Sequence, residues 1–274
     1  MRVYLVPAFD PERPAGSLRL VADEVHIWTM PTQAPEPVVT ELERVLSRDE
    51  LKRASRFRFP HLTDAYVITH GALRLLLARY LDRDPAGISF ENGIQGKPAV
   101  SKNRQFDFNL THSEGMAVVA VTTGCALGID LERLRSIPDI EEIAGRYFCP
   151  EEAAEILPLA PAERDRAFFR CWTRKEAYIK AIGDGLSCPL DSFQVTIQAD
   201  MPARLVHIAG DRAAAARWTL HDLSLASDYI AALAYPDRQR AVSVFRISDL
   251  AAFCRAQDGG ISPRIPRTPD KPRS

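Results

Sequence analysis

Trp172, Glu176 and Lys180 stand four residues apart in the run Trp-Thr-Arg-Lys-Glu-Ala-Tyr-Ile-Lys-Ala-Ile-Gly. That spacing predicts a helix, Ala162–Ile182, presenting an aromatic ring, a carboxylate and an ammonium along one face. Gly183 supplies the stop, because glycine most readily takes the left-handed backbone conformation past a helix end. Taken alone, Glu176 and Lys180 read as an ordinary i,i+4 pair on a solvated face, worth a few tenths of a kcal/mol. Two segments upstream change that weighing.

The first is Gly128-Ile129-Asp130-Leu131-Glu132. Period two puts Ile129 and Leu131 on one face of a strand and Gly128, Asp130 and Glu132 on the other. Carboxylates on one side of a strand repel unless a cation, solvent or a proton lies between them. Asp130, Glu132 and Glu176, with water and phosphate oxygens completing the shell, would make a magnesium site. Gly128 removes a side chain from that face and would leave room for a ligand. By themselves Asp130 and Glu132 also fit the polar outer face of a half-buried strand. The second segment, Phe106 to Val121, reads as two strands joined by a polar turn, Thr111-His112-Ser113-Glu114-Gly115. A histidine between two hydroxyls suits phosphate as well as solvent. Gly96-Lys97-Pro98 just before it holds a lysine in a rigid turn.

In this order the motifs "GKP" (96–98), "FNLTHS" (108–113), "GIDLE" (128–132), "RYFCPEE" (146–152) and "WTRKEAYIKAIGDGL" (172–186) resemble the Sfp-type 4′-phosphopantetheinyl transferases, over roughly residues 45–250. The resemblance implies an enzyme that moves the phosphopantetheine arm of coenzyme A onto a serine of an apo acyl or peptidyl carrier protein, releasing adenosine 3′,5′-diphosphate. It implies that Asp130, Glu132 and Glu176 hold Mg²⁺, that Lys180 and His112 meet the diphosphate, and that Glu176 takes the serine proton. Lys175 would also serve coenzyme A, Lys97, Pro98 and Thr111 would lie near its adenosine, and Arg53 would meet the 3′-phosphate. The implied fold is α+β, with two similar halves in an approximate two-fold arrangement and the active site between them. Members of this type commonly act as monomers.

Three positions depart from the family pattern. Thr111 stands where serine is common, keeping the hydroxyl. Glu50 lies where relatives often carry a second basic contact to the 3′-phosphate. Ser47-x-x-Glu50 instead matches a capping box at a helix start. Tyr66 and Val67 lie near a position often basic in the family, so the adenosine-phosphate pocket should be less positive than usual.

Composition sets outer limits. Lysine plus arginine number 35 and aspartate plus glutamate 36, so no global field argues for nucleic acid or an anionic membrane. Five scattered cysteines without metal-ligand spacing suit free thiols in the cytoplasm. The apolar start, Val3 to Phe9, is interrupted by Pro7 and is too short for a signal peptide, and no apolar run is long enough to span a bilayer. Pattern reading predicts strands at Val25–Met30, Ile88–Phe90, Phe106–Leu110 and Met116–Val121, with helices at Val38–Leu46, Arg48–Phe57 and Asp64–Leu81, in an N-terminal half, 1–126. A C-terminal half, 127–254, would hold strands at Leu127–Glu132, Phe193–Ile197, Arg204–Ile208, Trp218–Leu223 and Tyr229–Tyr235. Its helices would be Ile140–Tyr147, Glu151–Leu157 and Ala162–Ile182. A proline-rich, basic tail, 255–274, reads as disordered. Two rivals stay open: a non-catalytic coenzyme A or nucleotide binder on this fold, and another Mg²⁺-dependent phosphotransferase or diphosphate hydrolase. The second lacks a P-loop or kinase motif to support it.

Overall fold

In the run Met116 to Thr123, Ala117, Val119 and Val121 enter one apolar cluster, and Val118 and Ala120 enter another. A strand apolar on both faces belongs in the middle of a layered structure, and that alternation organises the molecule. The computed structural model describes residues 3–5, 18–93, 95–103, 105–183, 185–237 and 239–258.

The first elements are β1 (Val3–Leu5), β2 (Glu24–Pro31), α1 (Glu36–Glu43), α2 (Arg48–Ala54) and α3 (Pro60–Leu81). Next come β3 (Phe90–Asn92), β4 (Pro98–Val100), β5 (Phe106–Ser113), β6 (Met116–Thr123) and β7 (Gly128–Arg133). Helices α4 (Ile140–Tyr147), α5 (Pro150–Ile156) and α6 (Pro161–Ile182) follow, then β8 (Phe193–Val195), β9 (Leu205–Ile208) and α7 (Arg212–Ala215). The chain closes with β10 (Trp218–Leu223), β11 (Tyr229–Pro236), β12 (Ala241–Arg246) and α8 (Leu250–Asp258).

The fold is mixed α+β. A five-stranded sheet has the order β1-β12-β2-β6-β5, and a three-stranded sheet the order β10-β11-β7. They face each other across a core of Val25, Ile27, Val118, Ile129, Leu131, Leu233 and Val244, among others. The outer face of the larger sheet carries Trp28, Met30 and Phe108 against α1, α3 and α8. Beyond the smaller sheet, Ala232 and Ala234 pack with Phe168, Phe169 and Ala177, under α4 to α6. The order is therefore helices, sheet, sheet, helices.

Three expectations change. The expected C-terminal half, 127–254, does not stay together: β12 runs parallel between β1 and β2, and Leu250, Phe253 and Cys254 join the first core. Val242 and Val244 face inward from β12 into the core between the two sheets, where Ile129, Leu131 and Leu233 of the smaller sheet also lie. The expected tail begins too early, since α8 continues to Asp258; residues 259–274 lie outside the described residues. Thr111 and His112 belong to strand β5 and not to a turn. The hairpin closes on Glu114 and Gly115, with φ of 21° and 95°, and Thr111, His112 and Ser113 pair with Val118, Ala117 and Met116.

Candidate active site

The two sheets meet along β5 and β7, and side chains rather than a backbone ladder join them. Asn109, Thr111 and Ser113 alternate along β5 and share one face. Asn109 Oδ1 accepts the Ile129 N–H at 2.9 Å, and Ser113 Oγ accepts the Arg133 N–H at 3.1 Å. Between them Thr111 Oγ1 donates to Asp130 Oδ1 at 3.3 Å, and Ser113 Oγ donates to Glu132 Oε2 at 3.1 Å. The seam thus orients both carboxylates of β7. Asn109 is not a candidate from the sequence, although its period-two spacing with Thr111 and Ser113 is visible there.

Helix α6 delivers the remaining groups. Lys180 Nζ donates to Asp130 Oδ1 at 2.5 Å and to Thr111 Oγ1 at 3.2 Å. Asp130 is only 5% exposed, and its second oxygen, Oδ2, is buried without a hydrogen-bond partner among the described residues. Burial raises the Asp130 pKa against the pull of Lys180, and Glu132 adds to the rise. Glu176 is raised for the same first reason, burial, and next by Asp130, with Lys180 opposing. The three carboxylates are therefore within electrostatic reach of one another. Among the described residues they do not form a closed cluster of three ligands. Even so, an orphaned buried carboxylate oxygen beside two further carboxylates, with their edge toward solvent, is the donor set a hard divalent cation takes.

Gly128 does not make room for a ligand as expected. A β-carbon there would lie 2.1 Å from Ala177 O and 2.4 Å from Ala181 N, so the backbone of α6 occupies the space. This close approach puts Glu176 and Lys180 over β7. The helix ends at Gly183, φ 79°, whose N–H donates to Ile179 O at 3.0 Å. Trp172 on the same face packs at 6.1 Å over Phe168 and near Phe148, as part of the core.

His112 lies at the rim. Burial of its ring lowers its pKa, Lys180 lowers it further and Glu132 opposes, so the imidazole is mainly neutral at pH 7. Behind it His70 stacks on Tyr66 with ring centroids 3.8 Å apart, and its Nδ1–H donates to Tyr66 O at 3.0 Å. Burial lowers the His70 pKa to about 4. An unfolded histidine titrates near 6.5, so below that pH the unfolded chain binds a proton the folded one refuses. The stability tied to His70 is complete above about 6.5 and is lost as pH falls toward 4, by at most about 3 kcal/mol. Thermal melts between pH 4 and 7 are expected to show this decline in the wild type and a shallower one in His70→Asn. Parallel slopes would remove His70 as the cause.

Lys97 and Pro98 line a cavity of about 390 Å³ with Gln95, Phe108, Ala126 and Gly183. Lys97 Nζ reaches Asp107 Oδ1 at 3.1 Å and Leu127 O at 2.8 Å, so its charge is already paired. Arg53 is exposed, with its guanidinium carbon 5.9 Å from the Tyr66 ring centroid. The capping box is present: Glu50 Oε2 accepts the Ser47 N–H at 2.8 Å, and Ser47 Oγ accepts the Glu50 N–H at 3.3 Å. Glu50 also binds buried Arg74, with Nε at 2.8 Å and Nη2 at 2.8 Å. These partners hold its pKa down against burial. The charge of Glu50 is therefore paired within the fold, by Arg74 and the cap at Ser47.

Lys175, expected to serve coenzyme A, is held away from the β7 carboxylates. Its side chain is 0% exposed, and its ammonium pairs with Glu152, also 0% exposed, at 2.8 Å. It points to α5 and β8, because one helical step rotates it about 100° from Glu176.

Residues 126–234 match the family model described as the 4′-phosphopantetheinyl transferase superfamily. That span begins just before β7 and ends in β11, and it holds Asp130, Glu132, Glu176 and Lys180. A 4′-phosphopantetheinyl transferase of Bacillus subtilis is 36% identical over 54% of this chain and 66% of its own length. The Sfp transferase of Bacillus subtilis strain 168 is 33% identical over 58% of this chain and 75% of its own. The 4′-phosphopantetheinyl transferase HetI of a Nostoc species is 37% identical over 80% of this chain and 90% of its own. Likeness of this extent, spanning both sheets and the carboxylates at their seam, makes the chain a member of the Sfp-type 4′-phosphopantetheinyl transferase superfamily of enzymes.

Proposed function

We propose that this protein transfers the 4′-phosphopantetheine arm of coenzyme A to a serine of an apo acyl or peptidyl carrier protein, with Mg²⁺, as a cytoplasmic monomer. The serine oxygen forms a bond to the phosphorus bearing the pantetheine. The bond from that phosphorus to the bridging oxygen breaks, and adenosine 3′,5′-diphosphate leaves. The observation that carries this reading is Asp130 Oδ2, buried and without a partner among the described residues, on a carboxylate within reach of Glu132 and Glu176. Those three residues would hold Mg²⁺, which when bound would neutralise charge on the diphosphate oxygens.

The remaining work falls to side chains that position and move charge. Lys180, steadied by Asp130 and Thr111, presents its ammonium to the diphosphate. Neutral His112 offers a hydrogen bond at the rim. Glu176, with its pKa raised, is better matched than an ordinary carboxylate to take the serine proton. Lys97 and Pro98 border a cavity suited to the adenosine end, and exposed Arg53 is the cation available to the 3′-phosphate.

Release of adenosine 3′,5′-diphosphate from coenzyme A is expected only when an apo carrier domain is present. Release without a carrier would make the protein a diphosphate hydrolase. Coenzyme A binding without release would make it a binding protein.

A further inference from the structure

Three basic residues of α6 face away from the carboxylates. Arg170 Nη1 donates to Ile197 O at 2.7 Å. Arg174 binds Asp222 through Nε at 2.9 Å and Nη2 at 2.5 Å, and it also donates to Thr196. Lys175 is the most completely bound. Its ammonium reaches Glu152 Oε2 at 2.8 Å, Leu190 O at 2.7 Å and Phe193 O at 2.5 Å, which uses all three protons. The Glu152 oxygens also accept the Cys149 N–H at 2.9 Å and the Val195 N–H at 2.8 Å.

Glu176, the next residue, has no hydrogen bond or ion pair among the described residues; only burial and neighbouring charges act on it. The direction of its carboxylate therefore depends on how the helix is rotated beneath it. Stability alone does not explain the buried pair beside it, since apolar residues of similar volume hold a core as well or better. Three convergent hydrogen bonds to one ammonium do something an apolar contact cannot, which is to fix one rotation and height of the helix.

We propose that Lys175 and Glu152 are a positioning pair that aims Glu176 at Asp130 and Glu132, and that Lys175 does not contact coenzyme A. The kinetic consequence rests on the proposed transferase reaction. Lys175→Met alone should melt well below wild type, because Glu152 is left buried and unpaired. The double variant Glu152→Met with Lys175→Met should regain most of the melting temperature. Its kcat should nonetheless stay about 10²-fold down, the scale of an ångström misplacement. Its KM for coenzyme A should be unchanged, and its amides at 176–180 should exchange with solvent faster than wild type. If the double variant does not fold, Lys175→Arg supplies the same readouts, since it keeps the charge but its planar fork cannot make the three convergent bonds. Wild-type kcat and exchange in a folded variant would overturn the proposal. So would a raised KM for coenzyme A at constant kcat, which would return Lys175 to the cofactor. If wild type transfers nothing, the proposed function fails, and exchange at 176–180 still decides the positioning role.

Discussion

Asp130→Asn is expected to lower turnover by about 10²-fold or more while leaving the melting temperature equal to or above wild type. The amide keeps the shape, and its oxygen can still accept from Lys180 and Thr111, which bind Oδ1 in the native chain. Its nitrogen takes the place of the orphaned Oδ2 and can donate to the carboxylates nearby. What disappears is a buried negative charge. Because burial raises the folded-state pKa of Asp130, the ionised form costs folding free energy at every pH above that pKa, and the cost vanishes on neutralisation. Carrier modification rates and thermal melts on the same preparation read both effects. Near-wild-type turnover would reduce Asp130 to a structural partner of Lys180.

Gly128→Ala is expected to damage the fold itself. The new β-carbon would lie 2.1 Å from Ala177 O, 2.4 Å from Ala181 N and 2.8 Å from Lys180 C, all backbone atoms of α6. Ordinary carbon contacts begin near 3.5 Å, so strand and helix must separate by roughly 1 Å. Overpacking of this kind typically costs about 1–3 kcal/mol and occasionally more. With three backbone atoms in the way, the upper end applies, and the melting temperature should fall by about 10 °C. Turnover should fall too, because the shift carries Lys180 and Glu176 away from Asp130. A melt within a degree or two of wild type would show that β7 and α6 do not approach backbone to backbone.

Local signals carried much of the site. The four-residue spacing of Trp172, Glu176 and Lys180 and the alternation around Asp130 are properties of a single helix and a single strand, and both elements formed where those patterns lie. What failed was non-local. That Gly128 lacks a side chain is plain from the sequence, but only packing shows that a helix backbone fills the space. Nor does the motif around Lys175 show that helical geometry turns its side chain away from Glu176, toward a carboxylate 23 residues earlier in the chain. His112 and Thr111 looked like turn residues because they are polar. Thr111 is polar because the face it shares with Asn109 and Ser113 joins β7 through side chains, while His112 lies on the opposite face of the strand. The inward pattern of Val242 and Val244 was legible, but their return to the first sheet, between strands from the start of the chain, was not.

Intact-protein mass spectrometry of apo carrier domains incubated with coenzyme A tests the central claim most directly. With wild-type protein and Mg²⁺, a carrier should gain the mass of one phosphopantetheine arm at its serine, and the gain should disappear in excess EDTA. Equal modification in EDTA, or none on any fatty-acid, polyketide or peptide carrier in the presence of Mg²⁺, would contradict it.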